Sequence, residues 1–234
     1  VVGLFYSVLT PLLKNRRGLG VAMITTLLVG SGFSANTFHL PFLQHLSDFA
    51  IEGVVSSKPD EVKTALPDAV VYSSLEEALN SRQFDLVVIT TPNHLHASQS
   101  LLALEHNNHV LVEKPFTLST ADAKHLVDVA HEKKKQLCVF HNRRFDGDFL
   151  TLKQLIEQGK LGDIKRFESR FDRFRPTPRN RWRENKGPGS GIFWDLGPHL
   201  IDQVLQLFGK PTAVSASVLT LRDGGQSDDT FDLT

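Results

Sequence analysis

Three short stretches combine residue types and spacings that can do chemistry. In Asp195-Leu-Gly-Pro-His199 the i,i+4 spacing puts a carboxylate and an imidazole on one face of a helix, with Asp202 at i+7. A carboxylate so placed sets the tautomer of a histidine and raises its basicity, which suits proton transfer. The same pattern also describes an amphipathic helix with a capping Asp and a buried, satisfied His, because Leu196, Leu200, Val204 and Leu207 form the neighbouring apolar stripe. In Glu113-Lys114-Pro115 a lysine follows a short apolar strand. It projects either into the crevice where open α/β sheets bind ligands or into solvent as a surface charge, and Pro115 is a candidate for a cis peptide bond. Gly30-Ser31-Gly32-Phe33-Ser34-Ala35 is a G-x-G-x-x-A between a strand and a helix. Gly30 permits the tight turn, Gly32 lets a pyrophosphate approach the backbone, and Ala35 lets helix and strand pack closely. The helix start then offers N–H groups to phosphate. The alternative is an ordinary tight turn.

The elements that must position these groups alternate. Strands are expected at Ile24–Val29, Ile51–Val55, Phe84–Thr90, His109–Val112 and Leu137–Phe140, as short runs rich in Val, Ile and Leu. Helices are expected at Ser34–Leu46, after the capping-box-like Ser74-Leu-Glu-Glu77, over Ala97–His106, and after Ser119. This alternation predicts an α/β fold, a doubly wound parallel Rossmann sheet with helices on both faces, over residues 23–143. After Asn142 the rhythm changes. A helix at Phe149–Gln158, a strand at Ile164–Phe174, a Pro/Gly/Arg-rich loop to Gly191, a helix to Phe208 and strands at Val214–Leu221 and from Phe231 predict the first part of an α+β domain, residues 144–234, with an open, mainly antiparallel sheet.

The tip of the second strand bears on the nucleotide. An Asp or Glu there holds the ribose 2′-hydroxyl of NAD. Here the tip reads Ser56-Ser57-Lys58, two hydroxyls and an ammonium that suit the 2′-phosphate of NADP, although Asp60 or Glu61 is within reach of the ribose.

Composition removes other classes. The 234 residues carry 26 Lys+Arg and 26 Asp+Glu, so the net charge is zero and a generally basic nucleic-acid or membrane-surface protein is disfavoured. Residues 165–186 hold nine basic and three acidic residues interleaved with aromatics, yet the strand alternation there favours a pocket wall over a nucleic-acid surface. The single cysteine, Cys138, rules out an intrachain disulfide and fits a reducing compartment, the cytoplasm. His94-Leu-His96 has no third ligand beside it, so no metal is expected. No apolar run reaches membrane-span length. Residues 1–22 place apolar residues ahead of Lys14, Arg16 and Arg17, the reverse of a secretory signal. Arg16-Arg17 faintly suggests a twin-arginine signal, and the sole methionine, Met23, precedes the first strand, so 1–22 reads as a non-native or disordered extension.

From Met23 onward the chain resembles the Gfo/Idh/MocA oxidoreductase family, which includes glucose–fructose oxidoreductase and inositol dehydrogenase. The motifs that carry the resemblance are GSGFSANTFH (30–39), TTPNHLH (90–96), EKPF (113–116), FHNRRFDGDF (140–149), GKLGDI (159–164), RFRP with NRWRE (173–184) and GPGSGIFWDLGPHLID (187–202). The resemblance implies roles. Gly30, Gly32, Phe33 and Ser34 would cradle the dinucleotide, and Thr91, Pro92, Asn93 and His96 would border the nucleotide and nicotinamide. Glu113 and Lys114 match the E-K-P motif, whose lysine lies between nicotinamide and substrate. Asp195 and His199 match a D-x-x-x-H motif whose histidine transfers the proton. Asn142, Arg143, Trp182 and Arg183 match cofactor- or substrate-side positions. The implied activity is hydride transfer between NADP(H) or NAD(H) and a carbinol carbon of a sugar or polyol, by a homo-oligomer. Some relatives of this fold sense the dinucleotide without turning it over. The chain departs from the family in ending before the second domain's last strands.

Overall fold

The computed structural model describes residues 23–234, and the expectations for residues 1–22 lie outside the described residues. The chain divides into two compact units, one ending at Phe140 and the other running from His141 to Thr234.

The first unit is built on six parallel strands: β1 (Ile24–Val29), β2 (Phe49–Val55), β3 (Val70–Tyr72), β4 (Leu86–Ile89), β5 (His109–Glu113) and β6 (Leu137–Phe140), in the order β3-β2-β1-β4-β5-β6. The apolar runs become strands because helices cover both faces of the sheet. All four residues of β4 are fully buried, as are Leu27 and Val29 of β1. Leu104 of α4 (His96–Glu105) and Leu126 and Ala130 of α5 (Thr120–Glu132) join the same core cluster. Between β1 and β2 the helix starts with a π-helical turn, Ala35–His39, and continues as α1 (Leu40–His45). Leu40 N–H reaches back to the Ala35 carbonyl, and Pro41 follows with no N–H to offer Thr37, so the regular ladder is broken just ahead of the proline.

The capping signals act as read. Ser74 accepts the Glu77 N–H at the start of α3 (Leu75–Ser81), and Ser119 accepts the Asp122 N–H at the start of α5. Two elements lie beyond the sequence expectation, α2 (Pro59–Ala65) and β3. Each is short, and α2 buries only Val62, so neither shows a readable period.

The second unit has a 3₁₀ turn at Asn142–Phe145, helix α6 (Gly147–Glu157), helix α7 (Ile192–Phe208) and an antiparallel hairpin, β7 (Ala216–Leu219) with β8 (Thr230–Leu233). The strand expected at Ile164–Phe174 does not form. That segment alternates correctly but has no ladder partner among the described residues, and a strand exists only where a neighbour takes up its backbone groups. Among the described residues no helix is long and apolar enough to cross a membrane.

Candidate active site

Strand order reverses at β1, which lies between β2 and β4, so the crevice outside the carboxyl ends of β1 and β4 is where this topology binds ligands. The glycine turn sits there. Gly30 has φ +96°, and a Cβ on it would meet Thr90 Oγ1 at 2.9 Å, so no other residue fits. A Cβ on Gly32 would meet nothing within 4 Å, which leaves that face of the turn open to a phosphate. These residues fit a dinucleotide. Phe33 is exposed and packs edge-on against Phe38.

Ser34 does not cap its own helix. Its hydroxyl donates to Glu113 Oε1, the same oxygen that lies 2.9 Å from His39 Nε2, while Glu113 Oε2 accepts the Lys114 N–H at 3.2 Å. Burial alone would raise the Glu113 pKa. The hydrogen bonds from His39 and Ser34 and the nearby Lys114 charge outweigh it, and the carboxyl is held below the usual range. Glu113 therefore bolts the glycine turn to the segment that carries Lys114. The Lys114–Pro115 bond is cis.

His96 is buried and ties two further loops together. Its Nδ1 lies 2.7 Å from the Pro115 carbonyl and its Nε2 lies 2.9 Å from the Thr91 carbonyl. Burial pushes its pKa down against the pull of both carbonyls. Thr91 Oγ1 donates to Gln99, Asn93 is buried at the start of the 3₁₀ turn leading into α4, and Pro92 precedes it. At the tip of β2, Ser56 Oγ lies 2.6 Å from Ser31 Oγ and accepts the Lys58 N–H, so that hydroxyl is already engaged by the glycine turn. Ser57 and Lys58 are exposed, and Lys58 Nζ donates to Glu61 Oε1 at 2.8 Å.

In the second unit the site residues fall into two groups. Arg143 stacks over Phe171 at 4.6 Å and pairs with Asp146 in the turn that begins at Asn142. Arg183 stacks over Trp182 at 4.5 Å and pairs with Asp195 Oδ1 at 3.4 Å. His199 is buried one helical turn beyond Asp195 on α7. Asp202, a third acid on that helix, receives a two-pronged contact from Arg144 at 2.7 and 2.5 Å, which fastens the 142–145 turn to α7.

Two residues to which the sequence assigned no role hold this group in place. Asp228, from the segment before β8, accepts Phe193 N–H on its side chain and Ile192 N–H on its carbonyl, and so caps α7 from 35 residues away. Gly191, with φ +97°, is what admits it, since a Cβ there would fall 1.8 Å from Asp228 Oδ1. Glu184, buried, takes Arg179, Arg181 and Arg222 together. Burial alone would raise its pKa, but the hydrogen bonds from Arg179 and Arg181 bring it down to about 2. A cleft of about 300 Å³ opens beside Asp195, lined by five arginines and four carboxylates.

Comparison with known proteins agrees with this geometry. Residues 24–141 match the model for the oxidoreductase family with an NAD-binding Rossmann fold, and residues 149–234 match that for the GFO/IDH/MocA C-terminal domain. The chain is 45% identical over 204 residues to YdgJ of Escherichia coli (strain K12), an uncharacterized oxidoreductase, covering 87% of this chain and 59% of that protein. It is 42% identical over 223 residues to IolW of Bacillus subtilis (strain 168), a scyllo-inositol 2-dehydrogenase (NADP(+)), covering 95% of this chain and 62% of that protein. The triclinic-form structure of yvaA from Bacillus subtilis superposes with a TM-score of 0.87 at 41% identity, over 91% of this chain and 61% of that one. The chain thus spans about three-fifths of the length of these relatives.

Proposed function

We propose, because this chain belongs to the Gfo/Idh/MocA oxidoreductase family, that it carries hydride between a nicotinamide dinucleotide and a carbinol carbon of a sugar, polyol or related hydroxy compound. The observation that supports this reading most directly is the Ser34–Glu113 tie, which sets Lys114 beside the glycine turn at the carboxyl edge of the sheet. When bound, the dinucleotide supplies the hydride acceptor. Lys114 donates a hydrogen bond to the reacting oxygen and offsets its growing negative charge, an effect that strengthens as water is excluded. His199 takes the hydroxyl proton as general base. Asp195, anchored by Arg183, orients the imidazole one turn along α7. Glu113 and His96 touch loops rather than substrate, and their part is to hold those loops in place.

NADP is the favoured coenzyme in this reading. The β2 tip carries no carboxylate, Ser57 and Lys58 face outward, and the relative IolW is named for NADP(+). A 2′-phosphate must draw Lys58 from Glu61, an exposed pair of the kind worth at most about 1 kcal/mol. Glu61→Gln is therefore expected to tighten NADPH binding several-fold and leave NADH binding alone, as read by coenzyme fluorescence. The half-buried Cys138 thiol is pushed up to about 11 by desolvation, which leaves little thiolate at neutral pH.

The decisive experiment is coenzyme titration followed by turnover, with scyllo-inositol as the first substrate because a relative is named for it. Lys114→Ala and His199→Ala are each expected to lower kcat by about 10²–10⁴-fold with NADPH affinity little changed. An equal loss of both quantities overturns the assigned roles, and absence of NADPH and NADH binding by the unaltered protein overturns the reading itself.

A further inference from the structure

We propose that the cleft beside Asp195 takes the acidic group of an anionic sugar-type substrate, a carboxylate or a phosphate, on Arg173 and Arg175. This rests on the redox reading above and narrows its substrate class, away from a neutral inositol.

The charge arrangement in the cleft carries the proposal. Every carboxylate lining it is already engaged. Glu184 takes Arg179, Arg181 and Arg222. Asp229 takes Arg222 together with the backbone N–H groups of Leu221 and Arg222. Asp228 caps α7, and Asp195 holds Arg183. Arg173 and Arg175 also line the cleft, are exposed, and have no acidic partner within 4 Å among the described residues. They are not loose on the surface, because Arg222 Nη1 donates to the Arg175 carbonyl and pins that backbone at the cleft.

Like charges crowd there. Arg179, Arg173 and Arg181 repel the Arg175 guanidinium and lower its pKa, with only Glu184 pulling the other way. Unneutralised guanidinium groups in a concavity attract an oxyanion, and their planar forks match carboxylate and phosphate oxygens in pairs. Phe174, 93% exposed, supplies an apolar wall to the same cleft. A ligand that is apolar on one face and acidic at one end answers all of these features, whereas a neutral polyol leaves both arginines unmatched.

The test is calorimetric titration of D-glucuronate, glucose 6-phosphate and scyllo-inositol onto the NADPH-loaded protein and onto the Arg173→Gln/Arg175→Gln double variant, with NADPH affinity measured in parallel. The expected result is that at least one acid binds about tenfold or more tighter than scyllo-inositol, that the double variant loses this advantage, and that its NADPH affinity stays within about twofold. A gain confined to one acid supports the proposal and names the group. The proposal is overturned if neither acid outbinds scyllo-inositol, or if the advantage survives in the double variant. It is also overturned if the double variant loses NADPH instead, since the arginines then serve the coenzyme phosphates. If the unaltered protein binds the acids but neither coenzyme, the redox reading falls and the anion site stands.

Discussion

Strand β4, Leu-Val-Val-Ile, and strand β7, Ala-Ser-Val-Leu, are four-residue segments of similar local character. Every residue of β4 is buried, and every residue of β7 is exposed. The first has a ladder neighbour on each side and helices over the sheet. The second has one neighbour among the described residues, β8, and leaves Val218 and Leu219 in the open. Apolar character alone does not bury a strand; the layers around it do. The two units also hold their functional groups differently. In the first, a dry apolar core sets the strand ends, and a few buried hydrogen bonds centred on Glu113 and His96 finish the loops. In the second, the residues around Asp195 are held by arginine–carboxylate contacts, with Glu184 as their hub.

The sharpest break of this contrast is Leu27→Ala. It empties a fully buried site in the central strand and is expected to cost about 2–5 kcal/mol, read by urea denaturation with hydrogen exchange on the first unit. Gly191→Ala comes next. The new Cβ collides with Asp228 and the positive φ disfavours any side chain, so α7 loses its cap at a cost of about 2 kcal/mol or more. Both tryptophans, Trp182 and Trp194, lie in the second unit, so intrinsic fluorescence reports that loss separately.

Glu184 sharpens the comparison through pH. Its folded pKa, about 2, lies below the ordinary 4.5, so its stabilisation is complete above pH 4.5 and is lost as pH falls through about 2. The tryptophan signal of the second unit is expected to lose stability over that window. In Glu184→Gln the dependence flattens and stability at neutral pH is already lower, because three arginines face an uncharged partner. The smallest effect is Val218→Ser on the exposed hairpin, under about 0.5 kcal/mol. If it costs as much as Leu27→Ala, the contrast between the two units fails.

Much of this organisation was legible beforehand. Buried β-branched runs, Ser caps, and glycines at turns each signal through a handful of adjacent residues, and the glycine turn, the Lys114 segment and the Asp195–His199 face were visible for that reason. Short elements such as β3 and α2 were not, because three to seven residues with few buried positions carry no period. The alternation at 164–174 misled because it records which faces a strand would show, not whether a neighbour is present.

From residue order alone came the parallel α/β layout of the first unit and the family motifs, since these rest on local spacing. Only the folded chain decided that Ser34 and His39 meet Glu113, that His96 spans the Thr91 and Pro115 carbonyls, that Asp228 caps α7, and that Glu184 gathers three arginines. The physical reason is distance along the chain. Residues 74 or 35 positions apart leave no periodic trace of their meeting, because hydrogen bonds and charge pairs between them depend on where the backbone has already been carried by its core.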